Sequence, residues 1–251
     1  MLSLTEKCAA AGGSLADRRA AAPALVRLEP GAFLMGGSGD DKFVTDTERP
    51  AHRVAIASAF ALGRFPVTVG EYRAFSPGHS PTDEPGWPAV NVSWDDARGY
   101  CAWLGAETGE WHRLPTEAEW EFACRAGSRS PFAGGEEITT GTANFLYSED
   151  GQRIGPGHRT PVGRYPSNAF GLSDLHGNVC EWVEDAWHPG YAGSPCDGSA
   201  WSEGGDGRLR VIRGGAWDYL PRLLRSAWRD SLPRGHRRDN LGFRIARTLP
   251  P

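Results

Sequence analysis

The sequence predicts a mixed, largely irregular domain in which three short helices sit among short strands and long loops. Three observations predict it. Glycine and proline are frequent, 33 and 19 of 251 residues, and at that level they interrupt long helices and strands. Three segments open on a hydroxyl residue that can cap a helix. Two stretches, residues 126–171 and 184–209, carry no sustained periodicity, and the first is mostly Gly, Ser, Pro, Asn and Thr. The chain's 10 tryptophans then supply burial that regular elements do not.

Taken in order, residues 1–22 are Ala-rich and polar, a short helix or a tail. Val26 to Gly36 reads as a strand, a Pro-Gly turn and a second strand. Residues 50–60 alternate as a strand, with His52 in a structural role. Thr68 with Glu71 forms a capping box for a first helix carrying Tyr72 and Phe75 inward. Ser93 caps a second, whose first-turn Asp95 and Asp96 suit the helix dipole. Trp94, Ala97, Cys101 and Leu104 recur at helical spacing, and Gly109 stops that helix. Thr116 with Glu119 caps a third, leading to Cys124. At these positions Cys101 and Cys124 read as core thiols. No internal repeat or low-complexity linker divides the chain, so one domain is expected.

Composition narrows the function. A net charge of −4 and a pI near 6.0 argue against a general nucleic-acid binder. No apolar run reaches membrane-spanning length, and no basic segment followed by an apolar core marks a signal peptide, so the expected compartment is the cytoplasm. The five cysteines include no CxxC pair and read as free thiols.

Two regions carry candidate chemistry. Oxygen-rich clusters lie in and after the first long loop: Asn144 with Asp150, and Asp174 through Glu181 around Gly177. Carboxylates seven residues apart, with exposed carbonyls near a glycine between them, suit a hard cation such as Ca²⁺. The second region is the last forty residues. A short strand from Arg210 ends in Gly214-Gly215, aromatics alternate with arginines, and Gly242-Phe243-Arg244 closes the segment. Such a pattern can floor a binding groove. It equally describes core aromatics with arginines that are solvated or paired with acids.

Together the motifs resemble one family. Phe33-Leu-Met-Gly36, Pro66-Val-Thr68, Val90-Asn-Val-Ser-Trp-Asp-Asp-Ala97, Arg113-Leu-Pro-Thr-Glu-Ala-Glu-Trp-Glu-Phe122, Asn168-Ala-Phe-Gly-Leu-Ser-Asp-Leu-His-Gly-Asn-Val-Cys-Glu-Trp182, Arg213-Gly-Gly-Ala-Trp217 and Gly242-Phe-Arg244 occur in the order found in formylglycine-generating enzymes, the sulfatase-modifying factor family. The resemblance covers about residues 24 to 247. It implies a single, largely irregular α+β domain related to the C-type lectin fold, with three short helices and short antiparallel strands, over residues 24–251 after an N-terminal extension of residues 1–23. It also implies structural Ca²⁺. The ligands carried over are the Asp174 and Glu181 side chains with the Gly177 and Val179 carbonyls. A second site would use Asn144, the Phe145 carbonyl and Asp150.

The family's chemistry does not carry over. Its formylglycine-generating members hold copper on two cysteines, five residues apart, just after the Gly-Gly turn. The matching positions here are Tyr219 and Leu224, and no cysteine follows Cys196. Soft thiolates are what Cu(I) requires, so no copper is expected. The leading expectation is a non-catalytic module that binds a peptide, protein or small molecule, with no nucleic-acid or membrane partner. Its groove candidates are Trp217, Asp218, Tyr219, Arg222, Trp228, Asp230, His236 and Arg238. One alternative is a repurposed oxidoreductase of the siderophore-maturation type, with His236, Tyr219 or a groove Glu as acid or base. The ergothioneine-type relatives need a His pattern on a further helical domain, and this chain has no His-x-x-x-His pair. Another alternative is a variable ligand-binding protein of a diversity-generating retroelement. Asp218, Tyr219, Leu220, Arg222 and His236 are compatible with adenine mutagenesis of an Asn codon, whereas the tryptophans are not. An accessory protein that binds a partner through the same face is a further reading.

Overall fold

The computed structural model describes residues 22–37, 41–80 and 82–249. The expected N-terminal extension, apart from its last residues, and Cys8 lie outside them.

Among the described residues, three α-helices form where local capping chemistry places them. They are α1 (Val69–Phe75), α2 (Trp94–Thr108) and α3 (Glu117–Arg125). Each begins with a complete capping box, Thr68 with Glu71, Ser93 with Asp96 and Thr116 with Glu119. In each box a hydroxyl accepts an orphan backbone N–H and a carboxylate reaches back to another. Gly109 ends α2 in the left-handed conformation, φ 74°. Every residue of α3 is buried, including Glu117, Glu119, Glu121 and Arg125. Acidic residues on a fully buried helix require partners inside the protein: Arg229 pairs with Glu117, Arg213 and Arg125 with Glu121, and Arg113 with Glu119.

Among the described residues, ten short strands build three sheets. The strands are β1 (Leu25–Leu28), β2 (Gly31–Met35), β3 (His52–Ile56), β4 (Phe60–Gly63), β5 (His112–Arg113), β6 (Cys180–Trp187), β7 (Asp206–Arg213), β8 (Arg229–Pro233), β9 (Leu241–Phe243) and β10 (Ala246–Thr248). The first sheet, ordered β1-β4-β10-β5, joins the two ends of the described chain. The second is the pair β2-β3, and the third is ordered β8-β7-β6-β9. No helix of the described residues is long and apolar enough to cross a membrane.

β1 and β2 form on either side of the Pro-Gly turn as expected, and they join different sheets: Leu25 pairs with Gly63 and Gly31 with Ile56. Two strand expectations need correction. The strands are not all antiparallel, because β6 and β9 pair in parallel, Glu181 beside Gly242. The loop expected over 184–209 is shorter, since β6 continues to Trp187 and β7 begins at Asp206. A register shift between Trp182 and Ala186 breaks the alternation that would have marked the strand.

The core lies between α2 and the third sheet, where Trp94, Tyr100, Trp182, Trp228 and Phe243 share one cluster. A second cluster joins α3 to the β2-β3 pair through Trp120, Phe122 and Val54. The long loop 126–171 packs Phe132, Ala143 and Phe145 against Leu224. It is also tied by polar contacts. The Asn168 side chain donates to the Ala123 and Cys124 carbonyls and accepts from the Phe170 and Leu172 amides.

Candidate functional site

The Gly214-Gly215 turn at the end of β7 carries the C-terminal candidates, both glycines at positive φ. A Cβ on Gly215 would lie 2.6 Å from the Leu223 carbonyl, so only glycine fits this close approach. Beyond the turn the Trp217 amide donates to the Asn178 carbonyl at 3.0 Å. The Asp218 carboxylate accepts from Asn240 Nδ2 at 2.9 and 3.1 Å. The Tyr219 ring stands edge-on to Trp228, with centroids 5.7 Å apart, and packs against the core cluster that contains the buried Cys180. Burial pushes that thiol far above its ordinary range. The adjacent thiol and then burial push the Tyr219 phenol up in turn. Both groups are therefore protonated at neutral pH.

Asp218, Tyr219 and Trp228 are thus brought together, around two residues the sequence did not single out for the site, Cys180 and Asn240. Neither carried a signal in its own neighbourhood, because both reach the cluster through sheet pairing. Trp228 is only 7% exposed and belongs to the core. The others lie apart. Arg222 pairs with Glu149 at 2.8 Å. Asp230 is exposed and accepts from the Ser231 amide. Arg238 Nε donates to His236 Nε2 at 2.9 Å on the β8–β9 connection.

Four of the C-terminal arginines are buried and paired within the protein. Arg244 donates through Nε and Nη2 to Glu181 at 2.6 and 2.7 Å. Arg229 grips Glu117 of α3 with two bonds of 2.8 Å. Arg213 pairs with Glu121 of α3 and caps the Ser226, Ala227 and Trp228 carbonyls. Arg225 holds Glu48 with two 2.7 Å bonds, and Asp41 at 2.9 Å. These four are at most 3% exposed, so geometry decides for paired arginines over a solvated, ligand-facing set.

Several of the side chains expected to hold calcium have partners within the protein. Both Glu181 oxygens are taken by Arg244, and Trp120 Nε1 adds a third bond at 2.8 Å. Asp150 is exposed and accepts from Ser148 and Gln152. Val179 lies in the core, and Gly177 forms a bridge with Asn144, where a Cβ would meet the Asn144 carbonyl at 2.2 Å. Phe145 packs with Leu224. Of these side chains, Asn144 and Asp174 each keep one buried oxygen, Oδ1, without a protein partner. Among the described residues no group of three or more His, Cys, Asp or Glu side chains is placed to hold a metal ion.

Two adjoining pockets open along the long loop. The larger, about 650 Å³, lies between residues 131–154 and the turn at Pro221–Arg222, floored by Phe43, Phe145 and Arg225. The smaller, about 300 Å³, is lined by Tyr165, Asn168, Asp174 and His176. Phe132, Glu137 and Ile138 line both. Of the expected groove residues only Arg222 lines the larger pocket.

Comparison with known proteins follows this geometry closely. The family described as the sulfatase-modifying factor enzyme 1-like domain matches residues 12–249. The structure of PvdO from Pseudomonas aeruginosa is similar at a TM-score of 0.82 and 38% identity, covering 91% of this chain and 95% of that one. A serine/threonine-protein kinase pkn1 of Chlamydia caviae is 34% identical over 252 residues, 89% of this chain and 38% of the relative. A hercynine oxygenase of Mycobacterium tuberculosis is 33% identical over 247 residues, 79% of this chain and 55% of the relative. The chain therefore spans about half or less of the length of these two curated relatives. On the extent of the family match and the agreement in fold, the chain belongs to the sulfatase-modifying factor, or formylglycine-generating enzyme, family.

Proposed function

We propose that this chain is a ligand-binding member of its family rather than a copper-dependent formylglycine synthase, and that its ligand occupies the groove formed by the two adjoining pockets. The observation that carries this reading is the fate of the two cysteine positions. Tyr219 stands at one, half-buried against the cluster that contains Cys180, and Leu224 stands at the other, fully buried. Cu(I) needs soft ligands, and these two residues offer none. The groove supports binding: the larger pocket lies within the size range of small-molecule sites. Its wall combines apolar Phe43, Ile138 and Phe145 with a few charged groups. A peptide, a segment of a partner protein or a small molecule would suit it, and its acidic rim at Glu136 and Glu137 disfavours nucleic acid.

A thermal-shift screen of small metabolites and short peptides tests the location. Binders should raise the melting temperature of the wild type and fail to do so for Thr140→Trp, which fills the larger pocket. Binders that shift both proteins equally would place the site elsewhere. The likeness to hercynine oxygenase supports a second reading, a repurposed oxidoreductase. Turnover of a bound ligand under oxygen would favour it.

A further inference from the structure

We propose that a shelf of three arginines on the Trp94 indole, outside the groove, is a docking site for a carboxylate carried by an acidic segment of a partner protein.

Trp94 opens α2 and is buried, with Nε1 donating to the Val183 carbonyl at 2.8 Å. Guanidiniums from three elements lie over its ring. Arg210 of β7 stands 4.2 Å from the ring centroid, Arg98 of α2 4.9 Å, and Arg234, just after β8, 5.0 Å. None of the three lines the pockets of the groove. Stacking on an aromatic face fixes the plane of a guanidinium and leaves its N–H fork free for a carboxylate. The charges around this shelf do not balance. Asp95 is taken by Arg234 at 3.0 and 3.1 Å, Asp96 by Arg237 at 2.9 Å and Asp206 by Arg208 at 3.0 Å. Arg113, another cation near Glu184, is spent on Glu119 at 2.6 and 2.7 Å. Arg98 and Arg210 are left to share Glu184, which stands 3.7 Å from Arg98, too far for a hydrogen bond. Arg210 Nη1 donates only to the Glu184 carbonyl, at 3.4 Å, and its Nε is buried without a partner. Burial, then the charge of Arg234, pulls Arg210 below the usual guanidinium range, whereas Arg234, paired with Asp95, is raised. One positive charge is thus left over, with N–H donors unspent. A single carboxylate balances it, while a doubly charged phosphate would be repelled by Glu184 and Asp95 beside it. The side chains of Arg98 and Arg234 are 55% and 47% exposed, so the shelf lies open at the surface. An open shelf suits a side chain presented by a partner protein, whereas small molecules favour enclosing pockets.

Isothermal titration of the full chain at low salt with a capped peptide of alternating Glu and Ala, its Gln counterpart and inorganic phosphate tests the assignment. The acidic peptide should bind at least about tenfold more tightly than the Gln peptide, as a charge-assisted hydrogen bond requires, and more tightly than phosphate. Arg210→Gln should remove that preference. Arg98→Gln, on an exposed position of α2, should weaken the acidic peptide as well and serves where Arg210→Gln does not fold. Glu184→Gln removes the competing carboxylate and should strengthen the acidic peptide several-fold, a gain that a purely structural role for the cluster would not produce. Equal binding of the two peptides by the wild type, or binding of neither, overturns the proposal. Acid-selective binding that both arginine variants leave unaltered overturns it too, and tighter binding of phosphate overturns the carboxylate assignment.

Discussion

Glu181 and Arg244 form a fully buried ion pair, both at 0% exposure, with guanidinium-to-carboxylate bonds of 2.6 and 2.7 Å. The pair joins β6 to the residue just beyond β9, where the two strands run parallel. Trp120 of α3 donates to the same carboxylate, so one acidic side chain holds a helix and two strands together. Removing one partner of a buried pair leaves an uncompensated charge, at a cost of about 3–5 kcal/mol. Glu181→Ala should therefore unfold at markedly lower denaturant concentration, by the same amount with EDTA as with added calcium. A loss that appears only in the presence of calcium would return Glu181 to the role of metal ligand.

Trp228 and Tyr219 touch edge to face, yet their substitutions should behave differently. Trp228 sits in the core, so Trp228→Ala should cost about 3–5 kcal/mol of stability. Tyr219 is half-buried and covers the Cys180 thiol. Tyr219→Ala should fold and expose one additional thiol to a labelling reagent, beyond the exposed Cys196. An unchanged count of reactive thiols in a folded Tyr219→Ala protein would mean that Cys180 is shielded by other groups.

Asp185 predicts a pH signature. Its oxygens accept from the Glu117 and Trp201 amides at 2.7 Å. Burial, then the neighbouring Glu117 charge, pushes its carboxyl up to about 7. An unfolded Asp titrates near about 3.9. Between those values the folded state keeps a proton that the unfolded state has released. This group's contribution to stability is thus fully present below about pH 4 and is lost as the pH rises through 7. The melting temperature of Asp185→Asn relative to wild type should rise between pH 4 and pH 7. A constant difference across that range would show that Asp185 is already ionised in the folded protein.

What was legible in the sequence was local. Ser93 and Asp96 are three residues apart, and so are the partners of the other two capping boxes; each helix start follows from its own few residues. Ordered motifs also disclosed the family and its α+β fold. The pairings that decide the C-terminal segment are remote: Arg213 meets Glu121 across 92 positions and Arg225 meets Glu48 across 177. Nothing in the neighbourhood of Arg213 or Arg225 distinguishes a buried arginine from a solvated one. Trp228 was ambiguous for the same reason, since its burial depends on α2 and β6. The groove was hidden because the wall contributed by loop 131–154 has no periodicity, and its opposite side, Phe43 and Arg225, comes from far along the chain.

The central claim is that Tyr219 and Leu224 have replaced a copper-binding thiolate pair in a protein that now binds rather than oxidises. The most direct measurement supplies the purified chain with Cu(I), oxygen and a cysteine-containing peptide and follows the peptide by mass spectrometry. The account predicts that the peptide cysteine is recovered without conversion to formylglycine. Enzyme-dependent appearance of the aldehyde at that cysteine would contradict it.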